Sequence, residues 1–143
     1  MKLLDANILL YAVNRDSAHH AMVKRWLDLT MASEETIALP WVVVLAFLRI
    51  ATNPRALPKP LTTARALDYI GALFAHPNVV PLAPGDDHWR TLRGLLEKLG
   101  AASNLTTDAH LAALAIEHGA VLCSTDGDFS RFKSLQWENP IAA

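Results

Sequence analysis

The chain reads as an α/β protein, with a mainly parallel central sheet flanked by helices. Three observations predict this. Short apolar, strand-like segments alternate with longer segments of helical periodicity along the whole sequence. The 143 residues are 52% hydrophobic and 19% charged, a globular composition able to bury about two-thirds of the unfolded surface without a metal or disulfide. The longest apolar run, Trp41 to Leu48, spans eight residues, far short of the roughly 20 that cross a bilayer. We read residues 1–143 as a single domain.

The elements follow in order. Lys2-Leu3-Leu4 is a short buried strand, and the chain turns helical at Ile8 to Val13. A second helix is capped by Asp16 or Ser17 and runs to about Met31. Thr36 to Leu39 is a strand. Pro40 then suits the first turn of a helix that runs to about Thr52. That helix is apolar almost all round, which places it deep in the core or against a partner. Asn53 to Pro60 holds three prolines and forms a stiff loop. Thr62 and Thr63 can cap the next helix, which Pro77 ends. Val79 to Leu82 is a strand. Pro84 to Leu99 is a helix with Asp86 and Asp87 in its first turn and Gly100 as its stop. Thr106 or Thr107 caps a helix that Gly119 terminates. Ala120 to Ser124 is a strand, and Leu135-Gln136-Trp137 a last short one.

Net charge is −1, which excludes a surface coated throughout in positive charge for nucleic acid. Residues 15–65 nevertheless carry seven Lys or Arg against four acids, and residues 104–143 five acids against two bases. The single cysteine, Cys123, excludes an intramolecular disulfide. Asp5 stands where a signal peptide needs its apolar core. Together these predict a cytoplasmic protein, with Cys123 buried and inert.

In open parallel sheets, sites form beyond the carboxyl ends of the strands. Three segments deliver carboxylates there: Asp5 after the first strand, Asp126 and Asp128 after the Ala120–Ser124 strand, and Asp108 in a helical first turn. Taken singly, Asp108 reads as a helix-end residue and Asp126-Gly127-Asp128 as a turn. Asp5, directly after a buried strand and before another apolar run, reads as neither a usual cap nor a surface position. Clustered carboxylates repel unless a cation neutralises them. An all-oxygen set without a His/Cys pattern suits Mg²⁺, with Mn²⁺ able to substitute. Six histidines suggest no catalytic dyad. Trp26 and Trp41 read as core.

The sequence Leu4-Asp5-Ala6-Asn7-Ile8-Leu9-Leu10-Tyr11 resembles the start of PIN-domain ribonucleases, specifically the VapC toxins of type II toxin–antitoxin pairs. The resemblance continues at Leu39-Pro40-Trp41, Phe47 to Pro54, Asp108 to Ala115, and Gly119 to Phe129. It implies a PIN-like three-layer sandwich and a Mg²⁺-dependent endoribonuclease. It carries the catalytic and metal-binding roles to Asp5, Asp108 and Asp126, with Asp128 a weaker ligand. Asn7 and Thr125 match supporting polar positions, and Arg49 a contact to substrate or antitoxin. The implied partners are an RNA substrate, a cognate VapB-type antitoxin and a second copy of the chain, with no membrane.

One position departs from the pattern. Many members of that family carry a glutamate three residues before the helix arginine, where this chain has Ala46. Alanine holds no metal. Glu34 and Glu35 lie at the wrong end of the following strand, which leaves Asp128 as the substitute. The alternative reading is therefore a PIN-like module, weakened in catalysis, that binds RNA or a partner.

Overall fold

The computed structural model describes residues 1–142. Five strands form one sheet in the order β3-β2-β1-β4-β5, every neighbouring pair parallel. They are β1 (Lys2–Leu4), β2 (Ile37–Pro40), β3 (Val79–Leu82), β4 (Val121–Cys123) and β5 (Trp137–Glu138). Six helices connect them: α1 (Ala6–Val13), α2 (His20–Ala32), α3 (Trp41–Ala51), α4 (Thr63–Ala75), α5 (His88–Leu99) and α6 (Thr106–Glu117).

Successive crossovers β1 to β2 to β3 step one way across the sheet, while β3 to β4 steps back past β1. Because parallel crossovers are right-handed, α1–α4 lie on one face and α5–α6 on the other. The expected three layers follow. With both faces covered, the central strands lose their polar positions. Leu3, Leu4, Ala38, Leu39, Leu122 and Cys123 are all buried. Cys123 is free and buried as expected, and burial pushes its thiol up to about 12. No helix among the described residues is long and apolar enough to cross a membrane.

The direction of strand order reverses between β1 and β4. Their register, Lys2 with Val121 through Leu4 with Cys123, sets the carboxyl ends of these two strands side by side. That reversal is where an open α/β sheet leaves a crevice.

Several element starts differ from the sequence reading. The second helix begins at His20, because Asn14 and Ser17 first spend their side chains on turns. Asn14 Oδ1 accepts from the Asp16 amide and Ser17 Oγ from the His19 amide. Pro40 is the extended last residue of β2, paired with Leu82, so α3 starts one residue later at Trp41. Gly85 to His88 form a turn, the His88 amide donating to the Gly85 carbonyl at 3.2 Å, which delays α5 to His88 and leaves Asp86 and Asp87 ahead of its first turn. Gly100 ends that helix in the left-handed conformation, φ 71°, as its position predicts. A 3₁₀ turn, Ser103–Leu105, leads into α6, so neither Thr106 nor Thr107 is its cap. The last strand lies slightly downstream of the expected segment, at Trp137–Glu138.

The helix α3 is not buried all round. Val43, Val44, Phe47 and Ala51 enter the core, while Trp41 is 55% and Leu45 63% exposed. Trp41 is thus not core. With Arg49 it forms an open stripe at four-residue spacing. Trp26 is partly buried and donates its indole N–H to Glu138 at 3.0 Å.

Candidate functional site

The site forms where β1 and β4 end. Asp5 continues the ladder past β1, its amide donating to the Cys123 carbonyl at 3.0 Å. The chain then turns straight into α1, and Asp5 is its N-cap: Oδ1 accepts from the Ala6 amide at 2.7 Å. The expectation that Asp5 would not cap a helix is therefore corrected. The strand runs into the helix with no intervening loop, so one residue closes the strand and caps the helix.

Next to it lies Ser124, fully buried, which the sequence reading took only as the end of a strand. Its hydroxyl donates to Asp5 Oδ2 at 2.8 Å and accepts from Asn7 Nδ2 at 2.9 Å and from the Asp126 amide at 3.1 Å. One donor and two acceptor sites are thereby all used. Asn7 also donates to Asp5 Oδ2 at 3.3 Å and accepts from the Thr125 amide at 3.2 Å. Asn7 thus bonds to Asp5 and Ser124 through its side chain, whereas Thr125 contributes its backbone.

Asp126 caps the 3₁₀ helix Gly127–Arg131, accepting from the Asp128 amide at 2.9 Å. Asp108 sits in the first turn of α6, where the helix dipole favours its charge. One carboxylate oxygen from each of Asp108, Asp126 and Asp128 lies within 4.8 Å of the other two. This trio can hold one metal ion. Asp5 stands beside it: its Oδ2 is filled by Ser124 and Asn7, while its Oδ1, accepting from Ala6, keeps a lone pair free. The sequence reading had paired Asp5 with Asp108 and ranked Asp128 last, and the geometry brings Asp128 forward.

The acids repel one another. Asp108 is pushed up to about 6, first by burial and then by the charges of Asp126, Asp5 and Asp128. Burial and Asp126 also raise Asp5, although the hydrogen bonds from Ser124 and Ala6 oppose the rise. Asp108 and Asp126 are half-buried and Asp128 is exposed, and three carboxylates this close suit a hard divalent cation, every donor being oxygen. Arg49 is exposed and makes no ion pair among the described residues, so it does not offset this charge. Ala46 packs against the core and offers no ligand. Glu35 pairs with the chain's amino terminus at 3.2 Å, at the opposite end of the sheet.

The histidines are less inert than the sequence suggests. His110 Nδ1 lies 2.9 Å from His88 Nε2, and His88 Nδ1 lies 2.8 Å from Glu117 Oε2. His110 and Glu117 both project from α6, and His88 reaches between them from the start of α5. Glu117 Oε1 is buried without a partner among the described residues. Burial and the neighbouring His88 lower the His110 imidazole. This chain ties α5 to the helix that carries Asp108. His88 is separated from His110 by 22 residues and from Glu117 by 29, which hides the chain in the sequence.

Comparison with known proteins places the chain in a family. Residues 2–135 match the PIN domain model. The chain is 42% identical to Ribonuclease VapC37 and 43% identical to Ribonuclease VapC33, both of Mycobacterium tuberculosis, over 99% of each chain. Among solved structures, VapBC2 from Rickettsia felis bound to a promoter DNA fragment superposes with TM-score 0.68 at 20% identity, covering 96% of this chain and 97% of that one. FitAcB from Neisseria gonorrhoeae gives 0.67 at 17% over 100% of both chains. At these identities the superpositions show a shared fold. The family match and the full-length relatives together establish that the chain belongs to the PIN-domain family, among the VapC ribonucleases.

Proposed function

We propose that the protein is a divalent-metal-dependent endoribonuclease, the toxin of a type II toxin–antitoxin pair, and that residues 1–143 act as one cytoplasmic PIN domain. The observation that carries this reading is the Asp108-Asp126-Asp128 trio, with Asp5 held beside it at the switch point of the sheet. The full-length likeness to proteins named as VapC ribonucleases supports it.

Asp108, Asp126 and Asp128 would hold Mg²⁺, or Mn²⁺ in its place. When bound, the ion offsets negative charge on the scissile phosphate and acidifies water. The chain's residues do the rest. Ser124 and Asn7 fix the Asp5 carboxylate next to Asp126. There it orients the attacking water and can take up a proton, because burial has already raised its affinity for one. The Asp128 amide locks Asp126 in its capping rotamer. The dipole of α6 holds Asp108 at the rim. Asp128 takes the place of the glutamate that Ala46 lacks.

The partners we propose are RNA, a VapB-type antitoxin and a second copy of this chain. The superposition with toxin chains solved in VapBC and FitAB complexes supports the antitoxin. The open Trp41-Leu45-Arg49 stripe on α3 supports a surface that meets another chain.

Purified, antitoxin-free protein should cut total cellular RNA into discrete fragments with Mg²⁺ or Mn²⁺, and not with EDTA. An Asp126→Asn variant should not cut. No cleavage by folded wild-type protein with either ion would move the assignment to the binding-module reading.

A further inference from the structure

We infer that a cavity at the far end of α1 is a phosphate subsite, gripping the RNA strand a few nucleotides from the cleavage point. The inference rests on the ribonuclease reading above and extends it to substrate positioning.

The cavity has a volume of about 510 Å³ and is lined by four parts of the chain. Arg15 and Asp16 come from the turn after α1, Lys24 from α2, Lys59 from the proline-rich loop and Arg65 from α4. Four permanent cations thus face one carboxylate. Lys24 is committed to Asp28 at 2.7 Å, but Arg15, Lys59 and Arg65 form no ion pair among the described residues. Converging like charges cost free energy, and a polyanion recovers it.

The backbone under these side chains is held in place. Pro54, Pro58 and Pro60 stiffen the loop, and the Leu61 amide ties it to the Ala51 carbonyl at 2.8 Å. Thr62 Oγ1 accepts from the Arg65 amide and so seats the start of α4. Asn14 and His20 add two polar groups, and Ala12, Val13 and Leu61 form an apolar part of the wall. A wall with cations at its rim suits a nucleotide: phosphate on the charges, base or ribose against the apolar side chains.

Position decides between RNA and an acidic protein segment. Asp5 caps α1 and the cavity begins at its last turn, so at 1.5 Å per residue the two lie about 12 Å apart along the helix. A few nucleotides of single strand span that distance. The carboxylate cluster repels phosphates until a cation is bound, and the uncommitted cations one helix length away supply the compensating grip.

The test is the triple variant Arg15→Ala, Lys59→Ala, Arg65→Ala beside a control triple on α5, Arg90→Ala, Arg93→Ala, Lys98→Ala, which makes the same change in net charge. The probe is a fluorescent single-stranded RNA of about 12 nucleotides, long enough to reach from the acids to the cavity. Binding is measured in EDTA at several salt concentrations. Each lost phosphate contact should reduce the slope of log K against log salt by about 0.7, and three should reduce it by about 2. Between about 50 and 200 mM salt the wild type should then lose about 20-fold more affinity than the triple variant. With Mg²⁺, KM for the same RNA should rise while kcat stays within about twofold, because no group at the acids has changed.

A slope within about 0.5 of wild type overturns the subsite, as does an equal fall in the α5 control, which would mean diffuse attraction. Intact RNA binding with loss of antitoxin binding also overturns it and assigns the cavity to protein. If the wild type cleaves RNA and the triple variant matches it, only the subsite fails. If the wild type cleaves no RNA with any divalent ion, the ribonuclease reading fails and the subsite with it.

Discussion

Replacing Asp108 by asparagine should stabilise the metal-free protein while removing its response to metal. In the fold this carboxyl is raised from 3.8 to about 6 by burial and by Asp126, Asp5 and Asp128. A rise of that size corresponds to about 3 kcal/mol between the protonated and ionised forms. Asp108 is only half-buried, and solvent screening brings this to about 1.5 kcal/mol. Asparagine also gives up the attraction to the α6 dipole, about 0.5 kcal/mol. The net gain is about 1 kcal/mol, or about 3 °C in Tm for a chain of this length. The sign depends on pH. Because the folded carboxyl binds its proton more tightly than the unfolded one, it contributes stability below about pH 4 and loses it as pH rises through about 6. The advantage of Asp108→Asn is therefore absent below about pH 4 and complete above about pH 7. Adding Mn²⁺ at about 100 times its Kd should stabilise the wild type by about 2.7 kcal/mol and leave the variant nearly unmoved. Thermal melts in EDTA and in Mn²⁺ across this pH range read all three effects. An Asp108→Asn protein that is less stable than wild type at pH 8 in EDTA, or equally favoured at both ends of the range, would refute the electrostatic account of the cluster.

Other substitutions test other parts of the structure. Ser124→Ala leaves the Asp126 amide without its acceptor and Asp5 without its hydroxyl donor, at a cost of about 1–3 kcal/mol in urea unfolding. It should also push Asp5 further up and shift the acid limb of the cleavage profile to higher pH. His88→Ala strands Glu117, which already has one unpartnered oxygen, and should destabilise by about 2–4 kcal/mol, with His88→Gln recovering part. A loss below about 0.5 kcal/mol would mean that the His110-His88-Glu117 chain does not hold α5 to α6. Trp41→Arg with Leu45→Glu gives up the packing of Trp41 on Phe74, centroids 5.5 Å apart, so stability should fall by about 1 kcal/mol while light scattering shows a smaller assembly.

The fold was legible because the strands are buried on both faces. Lys2-Leu3-Leu4, Thr36–Leu39, Val79–Leu82 and Ala120–Ser124 are short apolar runs separated by helical periodicity, and all four lie within a residue of the observed strands. Helix starts were less legible, since Asn14, Ser17 and Gly85 take part in local turns that composition does not distinguish from caps. In the site, the acids were visible because carboxylates just beyond strand ends are chemically conspicuous. Their grouping was not, because it depends on which strands are neighbours: only the pairing of β1 with β4 shows that Asp5 is held aside by Ser124. A serine ending a strand carries no mark of its own, so that residue was missed. Trp41 was misplaced because an apolar helix in sequence does not reveal which stripe the core leaves uncovered.

The order of strands in the sheet also fixes when the site can exist. Asp108, Asp126 and Asp128 lie in the last quarter of the chain, and β1 forms its ladder with β4 only after nearly the whole sequence is present. Such a distant parallel pairing must close a very long loop before any contact repays it, so it forms late in folding. A nascent chain carrying β1, β2, β3 and α1–α4 holds Asp5 and the basic cavity but none of the trio. During synthesis the chain is therefore harmless to RNA until its end has been made, and any partner that recognises the first half of the sequence has the whole of that interval in which to bind.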